Sequence, residues 1–192
     1  MAGTPQLPFR VIGVDPGLNI TGYGVMDCRN GHINLLEAGV IRPPRPHGEN
    51  LPARLESLHK GLEEVIAEFH PTTMCLEEVY SHTEYPKTSI LMGHARGVIC
   101  LAARQAGVTV VSISAKRIKQ SVTGSGNASK SQVQRAVQQF FSLNRPPNPP
   151  DVADALAAGL CYAYSLKAAA NGLAPRKRLH RNSVKPAWAA AF

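Results

Sequence analysis

Five carboxylates stand where solubility alone would not call for an acid. Asp15 follows the apolar run Phe9 to Val14 and opens Asp15-Pro16-Gly17. Asp-Pro-Gly is an ordinary turn sequence, which accounts for Asp15 without any chemistry. A strand end is also where α/β folds collect functional groups. Glu77 and Glu78 lie within Met74-Cys75-Leu76-Glu77-Glu78-Val79, an apolar stretch that reads as a strand. Strand alternation sends the two side chains to opposite faces. One can be solvated; the other needs a partner, because an unpaired buried carboxylate is costly. A metal ion is one such partner and an Arg or Lys another, and alternation does not say which Glu is which. Asp151 and Asp154 follow Pro149-Pro150 at the start of a helix. Three residues apart, they share one helical face. Both suit a helix N-terminus as cap and first-turn acid. The neighbours of Asp154, Val152-Ala153 and Ala155-Leu156-Ala157-Ala158, are unusually apolar for a carboxylate with nothing to bind.

Oxygen ligands drawn from distant segments suit hard divalent cations, and Mg²⁺ in particular when a substrate supplies phosphate oxygens. Two such ions about 4 Å apart would activate a water and stabilise the leaving oxygen of a phosphodiester. The chemistry these acids point to is therefore metal-dependent phosphodiester hydrolysis, with convergence on one site left to the fold.

Composition narrows the setting. The 192 residues are 44% hydrophobic, enough for one core, and no stretch approaches the length of a membrane span. The start, Met1 to Pro8, lacks the cationic flank and apolar run of a signal peptide. Cys28, Cys75, Cys100 and Cys161 are widely spaced within apolar segments, as buried thiols of a reduced cytosol would be. The seven histidines form no metal-ligand spacing, so zinc is not indicated. The reading is a cytoplasmic protein. The net charge of +8 is uneven: six of the 21 Lys and Arg lie beyond Asp154, where no acid follows. That basic tail is either an attraction for a polyanion or a solvated segment.

The elements that must position the acids follow from periodicity. Phe9–Val14, Thr21–Cys28 and His32–Ile41 read as strands, with Asn30-Gly31 a hairpin turn. Leu51 to Phe69 repeats apolar residues at helical spacing and stops before Pro71. Met74–Tyr80 and Val108–Ile113 read as strands. Ser89–Gln105, Ala115–Val122, Ser129–Leu143 and Asp151 to about Ala168 read as helices. The Ser89 helix is rich in Gly and Ala, which permits close approach by another element or subunit. Three strands in meander followed by strand–helix–strand crossovers make an α/β fold with a mixed sheet. Residues 1–168 form the domain, and 169–192 form a basic tail expected to be disordered.

The motifs in order are Ile12-Gly13-Val14-Asp15-Pro16-Gly17 with Thr21-Gly22-Tyr23-Gly24; Leu76-Glu77-Glu78-Val79; Gly93-His94-Ala95-Arg96-Gly97; Lys119-Gln120 with Lys130-Ser131-Gln132-Val133-Gln134; and Asp151-Val152-Ala153-Asp154-Ala155-Leu156-Ala157. Each is weak alone. Together the sequence resembles the RuvC family of Holliday junction resolvases from about Arg10 to about Tyr164. The resemblance implies an RNase H-like fold with a mixed five-stranded sheet flanked by helices. It implies a homodimer that nicks two strands symmetrically at a four-way DNA junction, leaving 5′-phosphate and 3′-hydroxyl ends, in homologous recombination and DNA repair. It assigns Asp15, Glu77, Asp151 and Asp154 as catalytic ligands of two Mg²⁺ ions, with Mn²⁺ able to substitute, and so favours Glu77 over Glu78. Lys119, Lys130, Tyr80 and Arg96 become DNA-binding candidates. Tyr80 stands where the family commonly has Phe. Arg96 fits a structural ion pair as well as a phosphate contact. Branch-migration motor proteins of the RuvA and RuvB type are the implied partners. Two other classes stay in view: a junction-binding module with a decayed site, which four intact acids argue against, and an actin-like phosphotransferase, for which the chain is short and lacks a Gly-x-x-x-x-Gly-Lys-Ser/Thr loop.

Overall fold

Successive residues along the central strands face opposite sides of one sheet, and both sides are apolar and buried. The computed structural model describes residues 9–29, 31–43, 50–78 and 86–170. Tyr80, Asn30, the lead before Phe9, most of the Pro-rich 43–50 loop and the tail beyond 170 lie outside the described residues. The strands are β1 (Phe9–Asp15), β2 (Thr21–Arg29), β3 (His32–Ile41), β4 (Thr73–Glu77) and β5 (Thr109–Ile113). The helices are α1 (Leu51–Phe69), α2 (Pro86–Gln105), α3 (Ala115–Thr123), α4 (Lys130–Phe140) and α5 (Pro150–Ala170). The sheet order is β3-β2-β1-β4-β5. β1, β2 and β3 pair antiparallel, whereas β4 runs parallel to both β1 and β5. This is the mixed five-stranded α/β sheet that the sequence predicts.

Ile12, Val14, Val25, Met74 and Leu76 pack against α1 and α2 on one face. Val11, Met26, Cys75 and Ile113 pack against α3, α4 and α5 on the other. Both surfaces are buried, so these strands sit in a three-layer sandwich. Cys28, Cys75 and Cys161 are buried free thiols, and Cys100 is half-buried.

Three boundaries differ from the expectation by three residues, the others by at most two. β4 ends at Glu77, where its partner ends at Ile113 and Ser114 takes the N-cap position of α3; Val79 and Tyr80 of the expected strand lie outside the described residues. Helix α2 begins at Pro86, a residue helices accept in their first turn. Helix α4 stops at Phe140 rather than Leu143; Ser142 turns left-handed (φ 53°) and the Leu143 N–H bonds back to the Gln138 carbonyl at 2.9 Å.

Helix α5 lies unusually close to the sheet, and glycine allows it. A Cβ built on Gly13 would lie 1.9 Å from the Ala155 carbonyl oxygen, and one on Gly22 would lie 2.2 Å from that of Asp151. From the helix side, a Cβ on Gly159 would meet Met26 Cε at 2.1 Å. At Gly13 and Gly22 the obstacle is helix backbone, so no side-chain rotation can make room. Gly13→Ala is accordingly expected to cost at least about 3 kcal/mol, the upper range for overpacking. Urea unfolding of the variant measures this, and an unchanged midpoint would mean that α5 can slide away from β1 freely.

Candidate active site

Asp15 is the last residue of β1, two positions beyond Gly13, so its side chain shares the α5 face of the sheet. The loop that follows is held from two sides. The Thr21 hydroxyl donates to the Gly17 carbonyl at 2.6 Å, and Arg54 of α1 donates to the Leu18 carbonyl at 3.0 Å and to Asn19 Oδ1 at 2.5 Å. Asp15 itself closes the strand and the chain bends at Leu18 and Asn19, just beyond Asp-Pro-Gly; the bonds to this loop fix the carboxylate at a strand end.

Glu77 ends β4. The β1–β4 register pairs Val14 with Leu76, so one step further Asp15 and Glu77 stand at the ends of adjacent parallel strands. Cys75, two positions earlier, belongs to the α5-side core, which puts Glu77 on that same face. Glu78 is the more exposed of the pair, and its N–H donates to the Ile113 carbonyl at 2.9 Å. The ambiguity left by alternation is thereby resolved: Glu77 is the acid on the Asp15 side of the sheet.

Asp151 and Asp154 occupy the first turns of α5, which begins at Pro150. The helix begins one residue before Asp151, so neither acid is its N-cap; Asp151 is a first-turn acid, which suits the helix dipole whatever else it does. The close packing of α5 on Gly22 brings this helix start to the end of β1.

The four acids feel one another. Asp15 is pushed up to about 7, first by burial and then by the charges of Asp154, Glu77 and Asp151. Glu77 is raised by burial and by Asp154, while Lys130 and Lys119 pull it down. Lys130, the first residue of α4, points its Nζ at Asp154 Oδ2 at 3.4 Å while remaining 80% exposed. The Asp154 charge, offset by partial desolvation, raises the Lys130 ammonium above its usual range. Both lysines singled out by the sequence therefore face the acids.

Arg96 is placed differently. Its guanidinium donates to the Glu77 carbonyl at 2.6 Å and to Ser112 Oγ at 2.7 Å. It is engaged within the protein and forms no ion pair among the described residues. Tyr80 lies outside the described residues. The sequence reading assigned no role to Gly13, Gly22 and Ser112. The alternate glycines Gly22 and Gly24 in a strand, opposite an Ala-rich helix, were a legible signal of close backbone approach; Ser112 left none.

The donor set fits a hard divalent cation. All four side chains are carboxylates, they are half-buried, and they repel one another in the absence of a counter-charge. Among the described residues no three His, Cys, Asp or Glu side chains already close around a single point. Water and substrate oxygens normally complete the shell of Mg²⁺ at such open carboxylate sites.

The model of the family "Crossover junction endodeoxyribonuclease RuvC" matches residues 11–162. A relative of that name from Rhodopirellula baltica is 49% identical over 154 residues, covering 80% of this chain and 85% of its own. The structure of Thermus thermophilus RuvC in complex with a Holliday junction substrate superimposes with a TM-score of 0.75 at 30% identity, covering 86% of this chain and 98% of that one. The yeast mitochondrial Holliday junction resolvase Ydc2 shares the fold at a TM-score of 0.61 and 12% identity, covering 88% of this chain and 87% of its own.

Asp15 carries a prediction for the metal-free protein. Its folded value of about 7 lies above the ordinary aspartate value of 3.8, so folding opposes its ionisation. Stability from this group is full below about pH 4 and is lost as pH rises through about 7. With EDTA at pH 8, Asp15→Asn is expected to be more stable than wild type by about 1–4 kcal/mol, with the gap closing towards pH 4. Urea melts at the two pH values measure it; equal stabilities at pH 8 would refute the crowding of charge around Asp15.

Proposed function

The chain belongs to the RuvC family of crossover junction endodeoxyribonucleases and is a nuclease that resolves Holliday junctions, and on that premise we propose that Asp15, Glu77, Asp151 and Asp154 hold the divalent ions of its active site. The observation that carries this reading is the common field of four acids from three distant segments, which leaves Asp15 at about 7 until a cation offsets it. Two Mg²⁺ ions are the cofactor, with Mn²⁺ as a substitute. When bound, they supply Lewis acidity to the scissile phosphate and lower the pKa of the attacking water.

The chain's own residues have separable tasks. Asp15 and Glu77, fixed at the ends of adjacent strands, give the site its rigid side. Asp151 and Asp154 approach on α5 and complete it. Lys119 and Lys130, which already act on Glu77, offset the charge that builds on the phosphate in the transition state. Cleavage leaves 5′-phosphate and 3′-hydroxyl ends. Tyr80 is proposed to stack on junction bases, as any aromatic side chain can.

Symmetric cleavage needs two such sites, and the exposed side of α2 offers a surface for pairing two copies. Ile90 is 59% exposed and Leu101 51%. Cβ atoms built on Gly93 and Gly97 would meet open space. A homodimer joined through α2 would bury these residues, and RuvA- and RuvB-type motors would deliver the junction. No helix among the described residues is long and apolar enough to cross a membrane, and the cytoplasm is the proposed location.

Two outcomes test these readings. Asp15→Asn should lower cleavage of a synthetic four-way junction in Mg²⁺ by at least about 100-fold, the scale of losing one transition-state contact, while gel-shift affinity for the junction in EDTA is retained. Cleavage at the wild-type rate would remove Asp15 from the ligand set. Ile90→Glu combined with Leu101→Glu should give a monomer by light scattering and nicks that are no longer paired. A dimer of unchanged mass would place the interface elsewhere.

A further inference from the structure

Arg96 belongs to α2, which packs on the sheet face opposite the four acids. Its guanidinium spans the ends of two strands, with one donor on the Glu77 carbonyl of β4 (2.6 Å) and another on Ser112 Oγ of β5 (2.7 Å). The planar fork of arginine suits two acceptors held at a fixed separation, which an ammonium cannot match. The charges acting on the Glu77 carboxyl are those of Asp154, Lys130 and Lys119. Arg96 thus meets Glu77 through its peptide group and not through its carboxylate.

That peptide needs holding. The β4–β5 pairing ends at Glu77 opposite Ile113, and beyond it the Glu78 N–H to Ile113 carbonyl bond is the last backbone tie to β5 among the described residues. Strand ends with few bonds open most readily. The orientation of the Glu77 peptide also sets the direction in which its side chain leaves the sheet. We propose that Arg96 is a positioning residue: with Ser112 it locks the last peptide of β4 so that the Glu77 carboxylate stays opposite Asp15. This rests on the reading of Glu77 as a cation ligand. It replaces a phosphate contact for Arg96 with a role on the far side of the sheet.

The test uses the full chain and Mn²⁺ as probe, with binding followed by calorimetry. Arg96→Gln is expected to weaken Mn²⁺ binding by about 10-fold, the lower range for losing a residue that orients a metal ligand. Ser112→Ala should weaken it by a few-fold. The Mg²⁺ concentration for half-maximal junction cleavage should rise by the same factors. Arg96→Lys should recover only part of the loss. Junction affinity in EDTA, and its dependence on salt, should stay at wild-type values. A fall in affinity with the salt slope reduced by about one would instead make Arg96 a phosphate contact and overturn the proposal. Wild-type Mn²⁺ binding by Arg96→Gln would also overturn it. Should Arg96→Gln fail to fold, Ser112→Ala decides, and unchanged Mn²⁺ affinity there counts against the lock. Glu77→Gln separates the underlying reading: if that variant binds Mn²⁺ as wild type does, Glu77 is no ligand and the lock has nothing to position. If it binds weakly while Arg96→Gln binds normally, only the lock fails.

Discussion

The contact between α5 and the β1–β2 hairpin sets the geometry on which the site depends. Helices usually sit on sheets at a distance set by side chains. Here the backbone of α5 comes down onto Gly13 and Gly22, and Gly159 returns the accommodation from the helix side. The approach has two effects at once. It buries the apolar length of α5 in the core beneath β1 and β2, and it carries the first turn of the helix to the end of β1. An alanine at Gly13 would add one methyl group and lift the helix, and with it both aspartates. Stability and chemistry are therefore tied to the same backbone contact.

Against that rigid frame the electrostatics are deliberately unfavourable. Burial and three neighbouring carboxylates hold Asp15 at about 7, a cost the fold carries until a cation arrives. Lys130 offers partial relief through Asp154, but at 80% exposure its hold is loose. A flexible surface ammonium can neutralise an acid at rest and give way to a more concentrated charge. Lys119, half-buried on α3, acts on Glu77 from another direction. The acids are fixed by main chain, whereas the cations that answer them are mobile side chains.

Much of this could be read in the sequence, for identifiable reasons. The helix over residues 51–69 was legible because its apolar residues repeat on one face and Pro71 marks its end. The third strand was legible to its ends because a turn precedes it and prolines follow. What propensity could not give was information held by a neighbour. β4 ends at Glu77, where its partner ends at Ile113, and no local propensity marks that point. Glu77 and Glu78 are equivalent until one knows which face α5 covers. Arg96 reads as a surface cation until Ser112, sixteen residues away, comes within reach. The family resemblance supplied the choice of Glu77 that local pattern could not. The structure adds that Glu77 lies on the Asp15 side of the sheet.

The order of the acids along the chain has a consequence for synthesis. Two of the four lie at the start of α5, the last helix among the described residues. A nascent chain can pair β1 with β2, add β4 and β5, and place Asp15 beside Glu77, yet it holds only half of the proposed cage until residue 154 has left the ribosome. On the proposed ligand set, assembly would be complete only when α5, the last helix among the described residues, docks, and a chain truncated before Asp151 would lack half of its cage.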